Sequence, residues 1–159
     1  MSPPISPAVN GSRNMDDEDY IRMMVYMPDK IGKCVDALAA AHFSDPDMKS
    51  YFFAYILRLH AIDGATQKDL AKVIPFDKSR ISVVVNQLIK LGYVYDSGRG
   101  RNSSLHLTEK GKKAYPECRS FLDLLAEEIF GLEEDGIEIR RINTEFNDRL
   151  DRLLEKYKR

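Results

Sequence analysis

Between Asp77 and Gly92 the side chains sort into two sets. Ile81, Val84, Val85, Leu88 and Leu91 recur at helical spacing and predict a buried face. Lys78, Ser79, Arg80, Ser82, Val83, Asn86, Gln87 and Lys90 fall on the outward side, which carries no acid after the Asp77 cap. A solvated helix face usually mixes long acids with long bases. Here cations alternate with short hydroxyl and amide side chains, types that suit a DNA groove. Lys and Arg neutralise phosphates or bond guanine, Asn and Gln bond adenine, Ser approaches phosphate closely, and Val83 could touch a thymine methyl. An ordinary exposed helix accounts for this stretch equally well when it is taken alone.

The flanking residues supply a frame for that helix. Thr66 reads as the N-cap of a preceding short helix, with Asp69 closing a capping box in place of the usual Glu or Gln. Leu70, Ala71 and Val73-Ile74 form its apolar face, and Pro75 stops it. Thr66 and Gln67, at its start, join the candidate DNA contacts. Gly92 ends the second helix as a C′ residue. Tyr93-Val94-Tyr95 and Ser104-Leu105-His106-Leu107 are strand-like, with Leu105 and Leu107 on one face and His106 on the other, toward DNA or solvent. The loop between them, Asp96 to Ser103, is expected to be flexible through its two glycines and cationic through Arg99 and Arg101. A helix pair followed by an arginine-tipped hairpin predicts a winged helix-turn-helix, with the hairpin reaching a neighbouring minor groove.

From about Asp29 to Tyr115 the sequence resembles MarR-type transcriptional regulators. The matching motifs are Thr-Gln-x-x-Leu-Ala at 66–71, Asp-Lys-Ser at 77–79 and Asn-Gln-Leu-x-x-x-Gly-Tyr-Val at 86–94. Leu105-x-Leu107-Thr108-Glu109-Lys110-Gly111 is the most specific, with Thr108 resembling the N-cap of the long helix after the wing. Two positions depart from the family pattern. Arg99 stands where the family often has an Asp that orients the wing arginine, and Val83 stands where it often has Arg. The second departure leaves base preference open. The resemblance implies a homodimer joined by its terminal helices and a cleft for a small aromatic or phenolic ligand, near which Tyr51, Phe52, Tyr55 and His60 would lie. Some peroxide-sensing relatives carry a reactive cysteine on the helix matching that of Cys34. Cys34 adjoins Val35 and Leu38, which favours a buried, inert thiol over a redox sensor.

Composition sets the outer limits. A chain of 159 residues, 43% hydrophobic, fits one domain, or one domain with dimerisation arms. Its net charge of −1 argues at first against a nucleic-acid partner. From Thr66 to Lys113, however, ten cations face four acids, a local charge of +6 that leaves −7 for the remainder. One basic surface between acidic flanks is aimed at a polyanion. Cys34 and Cys118 form no disulfide framework, no apolar run spans a membrane, and the first residues lack a signal peptide's apolar core, so a soluble cytoplasmic protein is expected. His42, His60 and His106 show no metal-ligand spacing. No phosphate loop or nucleophile elbow is present, so neither enzyme activity nor a cofactor is expected.

In chain order, residues 1–15 read as a loose tail, 16–62 as N-terminal helices, 63–108 as the winged helix-turn-helix and 109–159 as C-terminal dimerisation helices. The fold class is mainly α with a small β-hairpin wing. A short helix over Asp16–Met27 is broken at Pro28, a second covers Asp29–Phe43, and a third runs from Asp47 to Ile62 behind the Ser44-Asp45-Pro46 turn. A long helix follows Thr108 to about Phe130, kinked at Pro116. After a break at Gly131 to Gly136, the last helix carries Ile139, Ile142, Phe146, Leu150, Leu153 and Tyr157 at steps of three and four. That stripe fits a seam against a second copy better than a return onto its own chain. The rival from another class is a winged helix that binds a protein partner and never touches DNA.

Overall fold

The structure, a computed structural model, describes residues 15–99, 102–132 and 136–158. The expected tail therefore lies outside the described residues except for Met15. The element order is α1 (Asp17–His42), α2 (Phe53–Ala61), α3 (Gln67–Ala71), α4 (Lys78–Lys90), β1 (Val94–Asp96), β2 (Leu105–Leu107), α5 (Glu109–Glu128) and α6 (Gly136–Lys156). The chain divides into two compact units, Met1–Lys33 and Cys34–Arg159.

In the first unit, Asp17, Glu18 and Asp19 stand at the N-terminal turn of α1, where the helix dipole favours acids. Arg22 pairs with Glu18 and Asp19, and Lys33 with Asp29. Tyr20, Ile21, Met23, Val25 and Tyr26 are exposed apolar side chains of the same stretch. The break expected at Pro28 does not occur, and α1 is one helix through it. A proline removes one intrahelical bond, and its ring here lies on an exposed position where it displaces no packing.

The second unit builds its core from one face of each of α2 to α5, with the end of α1 and the hairpin. Tyr55, Ile56 and Leu59 of α2, Leu70 of α3, Ile81, Val84, Val85 and Leu88 of α4, and Cys118, Phe121 and Leu125 of α5 are buried together. The Phe43 and Phe53 rings meet Phe121 at centroid distances of 4.8 and 5.3 Å. Helix α2 begins at Phe53, six residues later than Asp47. Before it the chain takes two turns, closed by Met48 N donating to Asp45 O and Phe52 N to Lys49 O. Met48 and Phe52 are buried from these turns, on the same side as Tyr55, Ile56 and Leu59 of the helix that follows.

Strands β1 and β2 pair antiparallel, Val94 with Leu107, Tyr95 with His106 and Asp96 with Leu105. Thr108 caps α5 by accepting from Gly111 N at 3.1 Å, and its own N–H donates to Tyr93 O at 3.0 Å. Gly111 presses so closely on Tyr93 that a Cβ there would lie 2.2 Å from the Tyr93 carbonyl oxygen. Helix α5 runs on through Pro116. In α6, Ile139 is half-buried, while Ile142, Phe146, Leu150, Leu153 and Tyr157 are exposed.

Candidate nucleic-acid interface

Helix α3 is held at its start by the reciprocal cap that the sequence announces. Asp69 N donates to Thr66 Oγ1 at 3.1 Å, and Thr66 N donates to Asp69 Oδ2 at 3.0 Å. The Thr66 hydroxyl also donates to Asp69 at 2.9 Å. These bonds to Thr66, with the Lys72 amine after them, lower the Asp69 pKa to about 2. The Thr66 hydroxyl is thus committed within the cap, which suits it to positioning α3 rather than to contacting DNA. Gln67 N donates to Ser103 Oγ at 3.1 Å, tying the first turn of α3 to the hairpin loop.

Helix α4 starts at Asp77, whose carboxylate accepts from Arg80 N at 2.8 Å, and ends before Gly92, at φ +84°. A positive φ is costly for any residue with a Cβ, so glycine fits that position. Its inner face closes the core. Of the outward set, Lys78, Ser79, Arg80, Val83, Asn86, Gln87 and Lys90 are exposed, and Ser82 is half-buried. Two aromatic rings brace the flank of this face. The Arg80 guanidinium lies 3.9 Å above the Phe76 ring, and the Tyr51 hydroxyl donates to Gln87 Oε1 at 3.3 Å. Sequence reading missed both braces: Tyr51 and Gln87 stand 36 residues apart, and Phe76 lies just before the cap of the helix that carries Arg80.

The hairpin is stapled to the start of α3. Gly64 N donates to Leu105 O and Leu105 N to Ala65 O, each at 2.9 Å, so Ala65 acts as a third-strand partner. His106 does not face DNA or solvent freely, as its alternation in the strand suggested. Its Nδ1 meets Asp63 at 2.8 Å and its Nε2 meets Ser97 Oγ at 2.8 Å and Ser104 Oγ at 3.1 Å. Its ring stacks on Tyr95, 4.9 Å between centroids. Of the two loop glycines Gly100 lies outside the described residues, and Gly98 is held closely. Asp96 Oδ1 accepts from Gly98 N and Ser104 N, at 2.8 and 2.9 Å. A Cβ on Gly98 would fall 1.7 Å from the Asn102 carbonyl oxygen, so glycine here serves close approach rather than mobility. The signal that could have shown this is the Asp-Ser-Gly run itself, an Asx-turn sequence. Arg99 is exposed, while Arg101 lies outside the described residues.

The residues proposed for a ligand cleft do not line one surface. Phe52 and Tyr55 are core side chains, 1% and 0% exposed. The Tyr55 hydroxyl is buried with no hydrogen-bond partner, and burial raises its pKa, opposed by the Arg80 charge. Tyr51 is engaged with Gln87, and His60 stacks on Tyr115 at 3.6 Å. An open depression of about 400 Å³ lies elsewhere, between Asp45, Tyr93, Lys110 and Glu117. There the Tyr93 hydroxyl donates to Asp45, holding the Asp45 carboxyl below the ordinary carboxylate range, while the Lys110 amine donates to Leu91 O at 2.8 Å. Cys34, expected to be buried, is exposed, whereas burial pushes the Cys118 thiol up to about 12. The apolar neighbours Val35 and Leu38 fall on the inner side of α1, and Cys34 on the outer. Among the described residues, no group of three or more His, Cys, Asp or Glu side chains gathers as a metal site.

Two capped helices with a hairpin stapled beside the second define a winged helix-turn-helix. No family model matches the chain. In sequence it is similar to an uncharacterized HTH-type transcriptional regulator of Bacillus subtilis (strain 168), YybA, at 28% identity over 92 residues. That match covers 56% of this chain and 61% of YybA, so the chain spans about three fifths of that relative's length. In structure it is similar to a MarR transcriptional regulator from Methanosarcina mazei Go1, with TM-score 0.61, 23% identity, and 88% and 92% of the two chains covered. It is also similar to an organohalide-sensing transcriptional regulator in its 2,4-dichlorophenol-bound form, with TM-score 0.71, 14% identity, and 96% and 94% covered. A third structure is a MarR-family regulator from Listeria monocytogenes in complex with a 26mer DNA, with TM-score 0.60, 17% identity, and 84% and 87% covered. The fold of this chain is the MarR winged-helix fold, mainly helical with a two-stranded wing.

Proposed function

We propose that this chain is a sequence-specific, double-stranded DNA-binding transcriptional regulator of the MarR type, a cytoplasmic repressor acting as a homodimer on a pseudo-palindromic operator. The observation that carries this reading is the outward face of α4. It is acid-free and polar, with cations at Lys78, Arg80 and Lys90, and it stands beside a stapled hairpin bearing exposed Arg99. A solvated helix has no need of a basic hairpin braced at its side. One such helix reads only a few base pairs. Two related by a twofold axis would meet successive major grooves about 34 Å apart. The exposed stripe of α6, Ile142 to Tyr157, and the exposed apolar side chains of α1 from Tyr20 to Tyr26 supply surfaces that such a pair would cover.

The test is a mobility shift against the DNA upstream of the chain's own gene at two salt concentrations, followed by selection of bound fragments from a random pool. Binding that is sequence-selective and falls steeply with salt supports the reading. Absence of binding at low salt overturns it in favour of a protein-binding winged helix. A small aromatic or phenolic effector is part of the same reading, because one regulator of similar fold is bound to 2,4-dichlorophenol. Of the four aromatic candidates, Tyr51 and His60 are the accessible ones. Such a ligand would act by favouring a dimer whose reading helices are wrongly spaced. A panel of phenolic acids that leaves DNA affinity unchanged would remove that element.

One observation favours a second reading, in which Cys34 senses oxidants: its thiol is exposed, unlike that of Cys118. Peroxide titration of DNA binding, with and without Cys34→Ser, separates the two. Loss of binding that requires Cys34 supports the sensor, and equal curves reject it.

A further inference from the structure

Resting on the DNA-binding reading above, we infer that Val83 is a specificity-determining residue that reads the C5 methyl group of a thymine in the major groove of each half-site. Three observations lead there. At about 100° per residue, Ser79, Val83 and Asn86 fall opposite the buried set of Ile81, Val84, Val85 and Leu88. They are therefore the centre of the outward face. The long polar side chains on one flank are already committed, Arg80 to the Phe76 ring and Gln87 to the Tyr51 hydroxyl. Val83 itself is 57% exposed, a β-branched apolar side chain amid polar neighbours in the middle turn of the helix.

These placements divide the labour across α4. Arg80 and Gln87, held to one side, suit the phosphate backbone, where a braced side chain fixes register without reading sequence. In its first three turns the centre is left with Ser79, Asn86 and the exposed methyl groups of Val83, and Lys90 follows on the same side at the C-terminal end of the helix. The thymine C5 methyl is the one apolar substituent that projects into the major groove; the other groups that distinguish bases there are donors and acceptors, beside the small C–H edges of cytosine and the purines. A polar base edge docked against Val83 would lose its water and gain no bond. A thymine methyl loses nothing by that contact and removes apolar surface of both partners from water.

The experiment uses the full-length protein and a duplex taken from the selected fragments. Each thymine is replaced in turn by deoxyuridine, which removes the methyl and leaves every hydrogen-bonding atom in place. The expected result is one symmetry-related pair of sensitive positions, with a loss of about fourfold for one methyl and about fifteenfold for both, from the transfer free energy of a buried methyl-sized group. Val83→Ala should bind the thymine and deoxyuridine duplexes equally. Its thermal unfolding should match that of the parent chain, because the side chain lies outside the core. Replacing the sensitive T·A pair by C·G should weaken binding, and 5-methylcytosine at that position should restore part of it for the parent chain and none for the variant. The inference is overturned if no thymine shows the loss, or if the loss persists unchanged in Val83→Ala. A chain that binds no duplex at all fails before any base is replaced, and that outcome overturns the DNA-binding reading and this inference together.

Discussion

Helices α4 and α6 both turn a face outward, and the faces differ in kind. The inner side of α4 is buried along its length, and its outer side presents short polar groups, flanking cations and one valine. Every described side chain of α6 from Arg140 onward is exposed, including an apolar row from Ile142 to Tyr157. Exposed apolar rows lose free energy in water that only another apolar surface returns. An exposed row of hydroxyl, amide and cationic groups loses nothing in water, and gains where a polyanion replaces it. On the function proposed above, the two helices would meet two classes of partner, α6 a protein surface and α4 a nucleic acid.

The strongest way to break this contrast is to charge the α6 row. Phe146→Asp with Leu150→Asp is expected to convert a dimer to a monomer in light scattering and to lower operator affinity by about 10² to 10⁴, the loss when two linked sites become one. A variant that stays dimeric with full affinity would refute the assignment of α6 to self-association. Within α4, Leu88→Ala should cost about 2–5 kcal/mol in urea unfolding, because that side chain is wholly buried. Asn86→Ala, on the other side, should change stability by less than about 0.5 kcal/mol yet alter sequence preference. Equal destabilisation by the two would erase the inner–outer distinction.

Arg99→Ala is expected to weaken binding to all sequences alike. It should reduce the slope of log affinity against log salt by about two for a dimer, at near 0.9 for each phosphate that is no longer neutralised. An unchanged slope would remove Arg99 from the interface. The smallest effect concerns the frame. The folded-state pKa of Asp69 is lowered, so its contribution is complete above the unfolded carboxylate value of about 4 and disappears as pH falls through about 2. Asp69→Asn should therefore flatten acid unfolding between those limits, measured by circular dichroism.

What the sequence made legible was local. Thr66 and Asp77 cap helices through atoms three residues away, so the residue types alone announce the geometry, and Thr108, placed by the family resemblance, caps α5 in the same way. The two faces of α4 and the alternation of Leu105 and Leu107 follow from period. The misreadings share a different origin. Asp63 meets His106 across 43 residues, and Tyr51 meets Gln87 across 36, and no periodicity carries such pairs. Phe52 and Tyr55 lie in the core, as aromatic residues at helical spacing usually do, and residue type alone does not separate them from the exposed Tyr51 and His60. Pro28 is a local signal of another kind: its cost of about 3 kcal/mol is borne within the 26-residue α1, which continues through it.

The junction around Tyr93 has a mechanical consequence. The Tyr93 carbonyl accepts from Thr108 and touches Gly111, while Lys110 reaches back to Leu91. The end of α4, the root of the hairpin and the first turn of α5 are thereby welded into a single lever. A tilt of α5 would therefore be carried through this junction to the outward face of α4, so movement of that face would be geared through α5 and not through the wing.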